Sequence, residues 1–154
     1  SGYTLNFTDF NTERGQYPWV PNPQFPSIAP MQPQDFLWIG VGGAAGAVAR
    51  ALVIVAGDRL ELPRLAATFT VNMLGSFCLG VMAAWLLRQV PTPVPARPLV
   101  VIGFLGAFTT FSTLALELVE LARGEQMGAA VAYGGLTMGC GVAMILLGQT
   151  LIRA

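Results

Sequence analysis

The sequence predicts an all-α membrane protein with four transmembrane helices. Of its 154 residues, 54% are hydrophobic and only 10% are charged, and its mean hydropathy is +0.61. A soluble domain carries about a quarter charged residues. Four hydrophobic segments each approach or exceed the roughly 20 residues that a helix needs to cross the hydrocarbon. Because short links join these segments, no room remains for a soluble domain.

The first 30 residues are predicted to be a separate, extended segment. Six prolines lie within residues 1–35 and no long apolar run occurs there, so the segment cannot bury a core alone. It also lacks the basic start and apolar stretch of a signal peptide. Met31 resembles a natural start, which favours a fused or engineered peptide over a native extension. A peptide that docks on an unknown partner is a further alternative.

The membrane domain is predicted to occupy residues 31–154. Its helices are expected at about 36–56, 65–87, 99–121 and 127–152. The first link contains Pro63, the second contains four prolines, and the third is centred on Gly124. Proline and glycine commonly end helices, so these links separate the four segments clearly.

The third segment is expected to be a broken helix at an ion site. Residues 103–114 read GFLGAFTTFSTL, in which two glycines loosen the backbone ahead of four hydroxyl side chains. Hydroxyl groups can satisfy the backbone groups that a break frees. In a membrane, such breaks occur only where protein or a cavity covers them.

The arginines select no orientation in the membrane. One set of loops would carry three or four arginines and the opposite set four, whereas the positive-inside rule needs an asymmetry. We therefore favour insertion in both orientations and assembly as an antiparallel homodimer. A net charge of zero offers no basic surface for nucleic acid. The absence of His, with Cys78 and Cys140 isolated in apolar runs, disfavours a transition-metal site.

Three polar residues of the predicted helices have no obvious packing role. Asn72 could be a helix–helix hydrogen-bonding residue or an N–H donor to a passing anion, and the sequence leaves both open. Arg50 ends the first segment and is expected to reach the interface, and with Glu117 it is an accessory candidate for the site. Glu117 lies one turn deeper than Glu120 and is harder to assign to the interface.

Neutral hydrogen-bond donors cluster in the last two segments. Tyr133, Thr137 and Gly141 recur at every fourth position and therefore share one helical face. In the third segment Phe111 stands beside two hydroxyls, although core packing is the usual role of such an aromatic. Neutral donors without a cation at mid-membrane suit weak, transient binding of a small anion, which phenyl edges can assist.

From about Phe36 to its end, the chain resembles the Fluc/CrcB fluoride channels of bacteria. The matching stretches are GGAAGAVAR at 42–50, TFTVNMLGSFCLG at 68–80 and GFLGAFTTFST at 103–113, with Tyr133 following in the fourth segment. The resemblance covers about four-fifths of the chain and leaves out residues 1–30.

The resemblance implies a dual-topology homodimer with two pores that passively exports fluoride across the bacterial inner membrane. It also implies a central structural Na⁺, held by the backbone carbonyls of Gly106 and Thr109, and no organic cofactor. The residues that match the fluoride pathway of the family are Asn72, Phe111, Ser112, Thr113, Tyr133 and Thr137.

Two positions depart from the family pattern. Leu114 stands where the family has a second pore phenylalanine, so one aromatic edge is missing. Gly141 stands where the family often has a serine, which shortens the series of hydroxyls on the fourth segment.

Other functions are less well supported by the residues. A small dual-topology multidrug exporter works through a membrane-embedded Glu in its first helix, where this chain offers only Arg50. A non-conducting scaffold that carries the N-terminal peptide is the structural alternative. An enzyme is least favoured, because no nucleophile–base pair or metal-ligand set is evident.

Overall fold

A computed structural model describes residues 31–88 and 95–153 of the chain. The predicted N-terminal segment, residues 1–30, lies outside the described residues, as do residues 89–94 of the second link. The described residues form helices joined by short turns. In chain order these are α1 (Asp35–Arg59), α2 (Arg64–Arg88), a π-helical segment called π1 (Arg97–Leu105), α3 (Gly106–Phe108), α4 (Phe111–Arg123) and α5 (Met127–Arg153).

The predicted set of four membrane-spanning helices is confirmed. Four helical stretches are long and apolar enough to cross a membrane, and the third comprises π1, α3 and α4. Their ends lie within about three residues of the predicted bounds. The main difference is the π1 winding, since π-helix is rare and usually confined to a single turn.

The distribution of apolar and polar residues is that of a protein in lipid. Large apolar side chains such as Leu37, Leu52 and Val131 are exposed on the outer surfaces of the helices. Conversely, the buried residues include four polar ones, Thr68, Thr110, Glu117 and Thr137. Exposed apolar groups need a hydrocarbon environment, whereas interior polar groups need partners within the protein. The chain is therefore a multi-pass membrane protein.

Two short links end their helices with the same backbone turn. After α1, the Leu62 N–H donates to the Gly57 carbonyl and the Glu61 N–H to the Asp58 carbonyl. After α4, the Gln126 and Glu125 N–H groups make the equivalent bonds to Leu121 and Ala122. This pattern is the Schellman motif. Its left-handed residue is glutamate in both turns, at φ 53° for Glu61 and 60° for Glu125, rather than the neighbouring Gly124.

Glycines allow the helix backbones to approach closely. On α1, a Cβ added at Gly42 or Gly46 would collide with the backbone carbonyl of Leu99 or Phe104 in π1. On α2, a Cβ at Gly80 would collide with the Ile145 carbonyl of α5. Packing of this kind stabilises helix association in lipid, where apolar burial alone gives little driving force.

Helices α2 and α5 pack against each other in parallel. The Tyr133 hydroxyl at the start of α5 lies 3.1 Å from the Leu65 carbonyl at the start of α2. Further along both helices, Gly141 faces Ser76, and Ile145 then faces Gly80. Because the residue numbers of the contacting pairs rise together along α2 and α5, the two helices run in the same direction.

We expect Gly46→Ala to destabilise the protein by about 1–3 kcal/mol, because the added methyl overpacks a backbone-to-backbone contact. Gly40→Ala is the matched control on the same helix, since a Cβ there meets nothing within 4 Å. The apparent melting temperature of the purified protein in detergent measures both effects. Equal melting temperatures for the two variants would contradict this packing.

Candidate functional site

The third helical stretch changes to extended backbone at two residues in its middle. Thr109, after α3, has φ −74° and ψ 159°, and Thr110, before α4, has φ −148° and ψ 109°. Both pairs of angles belong to the β region rather than to a helix. The chain is therefore not helical between Phe108 and Phe111, within the stretch where the sequence predicts a break.

Thr110 caps the helix that follows. Its Oγ1 accepts a hydrogen bond from the Thr113 N–H at 3.2 Å and donates one to Thr113 Oγ1 at 2.9 Å. The Ser112 hydroxyl lies 3.4 Å from the same oxygen. Threonine is a favoured residue at the start of a helix because its hydroxyl satisfies a free N–H group there. The predicted hydroxyl cluster therefore begins α4.

Asn72 of α2 binds the backbone of Thr110 through both ends of its side-chain amide. The Thr110 N–H donates to Asn72 Oδ1 at 2.9 Å, and Asn72 Nδ2 donates to the Thr110 carbonyl at 3.2 Å. One turn away, a Cβ at Gly75 would collide with the Thr109 side chain, so α2 approaches the extended residues closely. The amide still has a second N–H, because only one of its two is used by Thr110.

The interruption also releases the carbonyls of Gly106 and Thr109. In a continuous helix, the Thr110 N–H would bond to the Gly106 carbonyl and the Thr113 N–H to the Thr109 carbonyl. Here the first N–H donates to Asn72 and the second to the Thr110 hydroxyl. Two carbonyl oxygens without their helical donors are ligands that suit a hard cation. These are the two residues that the family resemblance associates with Na⁺.

A groove of about 430 Å³ runs beside the extended residues. It is bounded by α2, the middle of the third helical stretch and α5. Its polar side chains come from Asn72, Ser76, Thr109, Thr110 and Thr137. Apolar residues complete the wall, including Phe111 and Leu114. The groove thus combines an apolar lining with a few hydrogen-bonding groups, which is typical of ligand sites.

Phe111 and Leu114 face different surroundings, although both line the groove. The Phe111 side chain is 76% exposed, whereas Leu114 is 4% exposed. Ser112, next to Phe111, is also exposed. The four-helix unit alone therefore leaves the first turn of α4 uncovered, while Leu114 fills the interior one turn later.

Among the described residues, Thr137 carries a buried hydroxyl without a hydrogen-bond partner. The residue is 4% exposed, and its Oγ1 has no hydrogen-bond partner among the residues that the structure describes. A buried hydroxyl without a partner destabilises a protein by about 1–3 kcal/mol. Because Thr137 lines the groove, a ligand or a water molecule there could satisfy it.

Glu117 joins three helices through its carboxylate. Thr68 Oγ1 of α2 donates to Glu117 Oε1 at 2.6 Å, and the Tyr133 hydroxyl of α5 lies 2.9 Å from Oε2. Glu117 is 5% exposed, so both donors offset the unfavourable burial of its carboxylate. The structure thus joins two predicted site residues, Tyr133 and Glu117, with Thr68, which was not predicted.

A second cavity opens at the end of the molecule where the α1–α2 and α4–α5 links lie. It has a volume of about 260 Å³ and is lined in part by Arg64, Glu117, Glu120 and Gln126. Glu117 therefore both lines this cavity and belongs to the three-helix hydrogen-bond network. Arg50, predicted as an accessory residue, lies on α1 and lines neither cavity.

We expect Asn72→Leu to lower the apparent melting temperature in detergent, because the Thr110 N–H and carbonyl lose their partner. A buried group left unsatisfied in this way costs about 1–3 kcal/mol. Amide hydrogen exchange should accelerate in residues 106–113. Thr70→Ala is the control on the same helix, since that hydroxyl is exposed and bonds only to the Ala66 carbonyl of its own helix. Unchanged exchange in the Asn72 variant would contradict the assigned role.

Comparison with known proteins relates the chain to one family. A family model described as "CrcB-like protein, Camphor Resistance (CrcB)" matches residues 37–149. A protein of Allorhizobium ampelinum named "Fluoride-specific ion channel FluC" is 38% identical over 122 residues, which cover 78% of this chain and 97% of the relative. A protein of the same name from Deinococcus radiodurans is 41% identical over 118 residues, covering 75% of this chain and 93% of the relative.

Proposed function

The chain belongs to the CrcB-like family, the Fluc/CrcB family that its motifs resemble, and from this premise we propose that it is a passive, fluoride-selective ion channel. The observation that carries the proposal is the groove beside the Asn72–Thr110 pair. It places neutral hydrogen-bond donors within an apolar wall in a chain 38–41% identical to proteins named as fluoride-specific ion channels. We place the channel in the bacterial inner membrane, where it would export fluoride.

The groove offers groups that can replace the water around a small anion. Thr137 Oγ1 has no partner among the described residues, and Asn72 keeps a second N–H. The exposed Ser112 hydroxyl and the edge of the Phe111 ring complete the set at the open side. Neutral donors bind an anion weakly enough to release it, as conduction requires. A narrow path would exclude the larger halides.

Tyr133 and Glu117 would act at the end of this path. The hydroxyl of Tyr133 lies between the Glu117 carboxylate and the Leu65 carbonyl. A carboxylate repels fluoride, so the two donors that hold Glu117 would also reduce its repulsion of a passing anion. We therefore assign Glu117 a positioning role toward Thr68 and Tyr133.

We further propose that the working unit is an antiparallel homodimer. A polar first turn of α4 and the exposed Gly106 would otherwise face lipid at the middle of the membrane, where free polar groups are unfavourable. A second copy placed over this surface would cover Phe111, Ser112 and Gly106. The nearly equal arginine counts of the two sets of loops fit insertion in both directions.

The same arrangement would create the site for a structural Na⁺. Each copy supplies the released carbonyls of Gly106 and Thr109, so two copies would offer four oxygens. Bound there, the ion would supply positive charge that holds the two interrupted helices together. The residues fit a hard cation because carbonyl oxygens at helix interruptions coordinate such ions without any charged side chain.

Fluoride efflux from liposomes tests the proposed function. Vesicles that contain the purified protein and are loaded with potassium fluoride should release fluoride to an electrode when valinomycin balances the charge. Chloride-loaded vesicles with the same protein should release no more than empty vesicles. Equal fluxes of both ions, or no fluoride flux, would contradict a fluoride channel. A multidrug exporter would instead couple drug movement to protons, and a scaffold would show no flux.

Dual insertion is tested separately by labelling a single cysteine in the α4–α5 link. In Gln126→Cys, with Cys78 and Cys140 replaced by alanine, an impermeant thiol reagent applied to intact cells should label about half of the protein. Permeabilised cells, in which all copies are reachable, give the reference value. Complete or negligible labelling of intact cells would show a single orientation and would contradict the antiparallel dimer.

A further inference from the structure

Polar residues recur at four-residue spacing on both of the parallel helices that border the groove. On α2 these residues are Thr68, Asn72 and Ser76, and on α5 the corresponding positions are Tyr133, Thr137 and Gly141. Residues at this spacing share one helical face and are about 6 Å apart along the axis. Both series therefore advance at the same rate along helices that run in the same direction.

The first and third steps of the two series are fixed by contacts. Thr68 and Tyr133 both bind the Glu117 carboxylate. At the far end, a Cβ added to Gly141 would lie 3.5 Å from Ser76 Oγ. The equal spacing places Asn72 and Thr137 between these levels, and both line the groove. We call this arrangement the polar ladder, with rungs Thr68/Tyr133, Asn72/Thr137 and Ser76/Gly141.

The third rung has one hydroxyl, and it comes from α2. Gly141 has no side chain, and its open side faces Ser76 Oγ and the Met73 methyl, at 3.5 and 3.8 Å from the position of a Cβ. Both Ser76 and Gly141 line the groove. The missing side chain of Gly141 therefore leaves room in the groove directly beside the Ser76 hydroxyl.

The neighbouring rung contributes a second, independent observation. Thr137 Oγ1 is buried in the wall of the same groove, one turn before Gly141, and lacks a partner among the described residues. An occupant of the groove can satisfy such a buried hydroxyl in its wall. The Ser76 and Thr137 residues thus border the groove from two helices, one turn apart along its length.

We propose that Ser76 and Thr137 form a subsite for a partly dehydrated small anion, in which Ser76 provides the hydroxyl that α5 lacks at Gly141. This inference rests on the proposed function, because it takes fluoride to be the anion that passes through the groove. It makes Ser76 a further conduction residue. At the level of Gly141, the hydroxyl that borders the groove therefore comes from α2 rather than from α5.

Exchange of the hydroxyl between the two helices tests the proposal. Ser76→Ala should slow fluoride efflux from liposomes roughly tenfold, since a hydrogen bond to a charged group is lost. Adding Gly141→Ser to that variant returns a hydroxyl to the rung from α5. The space accepts it, because a Cβ there makes only ordinary contacts. The double variant should recover most of the flux.

Two controls separate this effect from changes in packing. Ser76→Ala with Gly141→Ala adds the same Cβ without a hydroxyl and should stay slow. Thr70→Ala removes a hydroxyl from the exposed side of α2 and should conduct like the unmodified protein. Size-exclusion chromatography verifies that each variant keeps the same assembly as the unmodified protein. If Ser76→Ala does not, Ser76→Gly removes the same hydroxyl and takes its place.

The outcomes distinguish this inference from the proposed function. If the unmodified protein conducts fluoride and Ser76→Ala conducts within twofold of it, the subsite is wrong while the channel assignment stands. If the serine and alanine double variants conduct equally, the hydroxyl is not the active feature and the inference fails. If the unmodified protein carries no fluoride, the proposed function itself fails.

Discussion

The paired hydrogen bonds between the Asn72 amide and the backbone of Thr110 are the interaction on which the rest of the structure depends. An N–H and a carbonyl released within the hydrocarbon are strongly unfavourable unless the protein satisfies them. Asn72 satisfies both at once, with distances of 2.9 and 3.2 Å. Because the Thr110 N–H donates to Asn72, the Gly106 carbonyl loses its helical donor. The Thr110 hydroxyl instead accepts from the Thr113 N–H and caps the start of α4. The interruption is thus a stable element of the fold.

Close packing by glycine places this interaction where it can act. Gly75 lets α2 approach Thr109, and Gly80 lets α2 approach α5 at the level of Ile145. The parallel course of these two helices then aligns their polar faces over three successive turns. The interior is consequently polar along the polar ladder, while the outer surface is apolar toward lipid. An anion moving along the polar ladder would meet hydrogen-bonding groups from both helices without meeting a cationic side chain.

Much of the fold could be predicted from the sequence, because hydrophobic length and the placement of Pro and Gly determine four helices directly. The hydroxyl cluster also indicated the region of the interruption. The hydrogen-bond partners could not be predicted in this way, because they depend on tertiary packing. They include the bonds of Asn72 to the Thr110 backbone and those of Glu117 to Thr68 and Tyr133. The spacing of Thr68, Asn72 and Ser76 was a usable signal that single-residue reasoning missed. The burial of Leu114 and the exposure of Phe111 could not be predicted either, because burial depends on which elements cover each face of a helix.

Passive and selective conduction of fluoride along the polar ladder is tested most directly by a recording across a planar bilayer. With unequal potassium fluoride on the two sides and chloride symmetric, a passive fluoride channel gives a current that reverses near the equilibrium potential of fluoride. Replacing fluoride by chloride should abolish that current. A current that reverses near the chloride potential, or no current from protein of verified assembly, would contradict fluoride conduction by this protein.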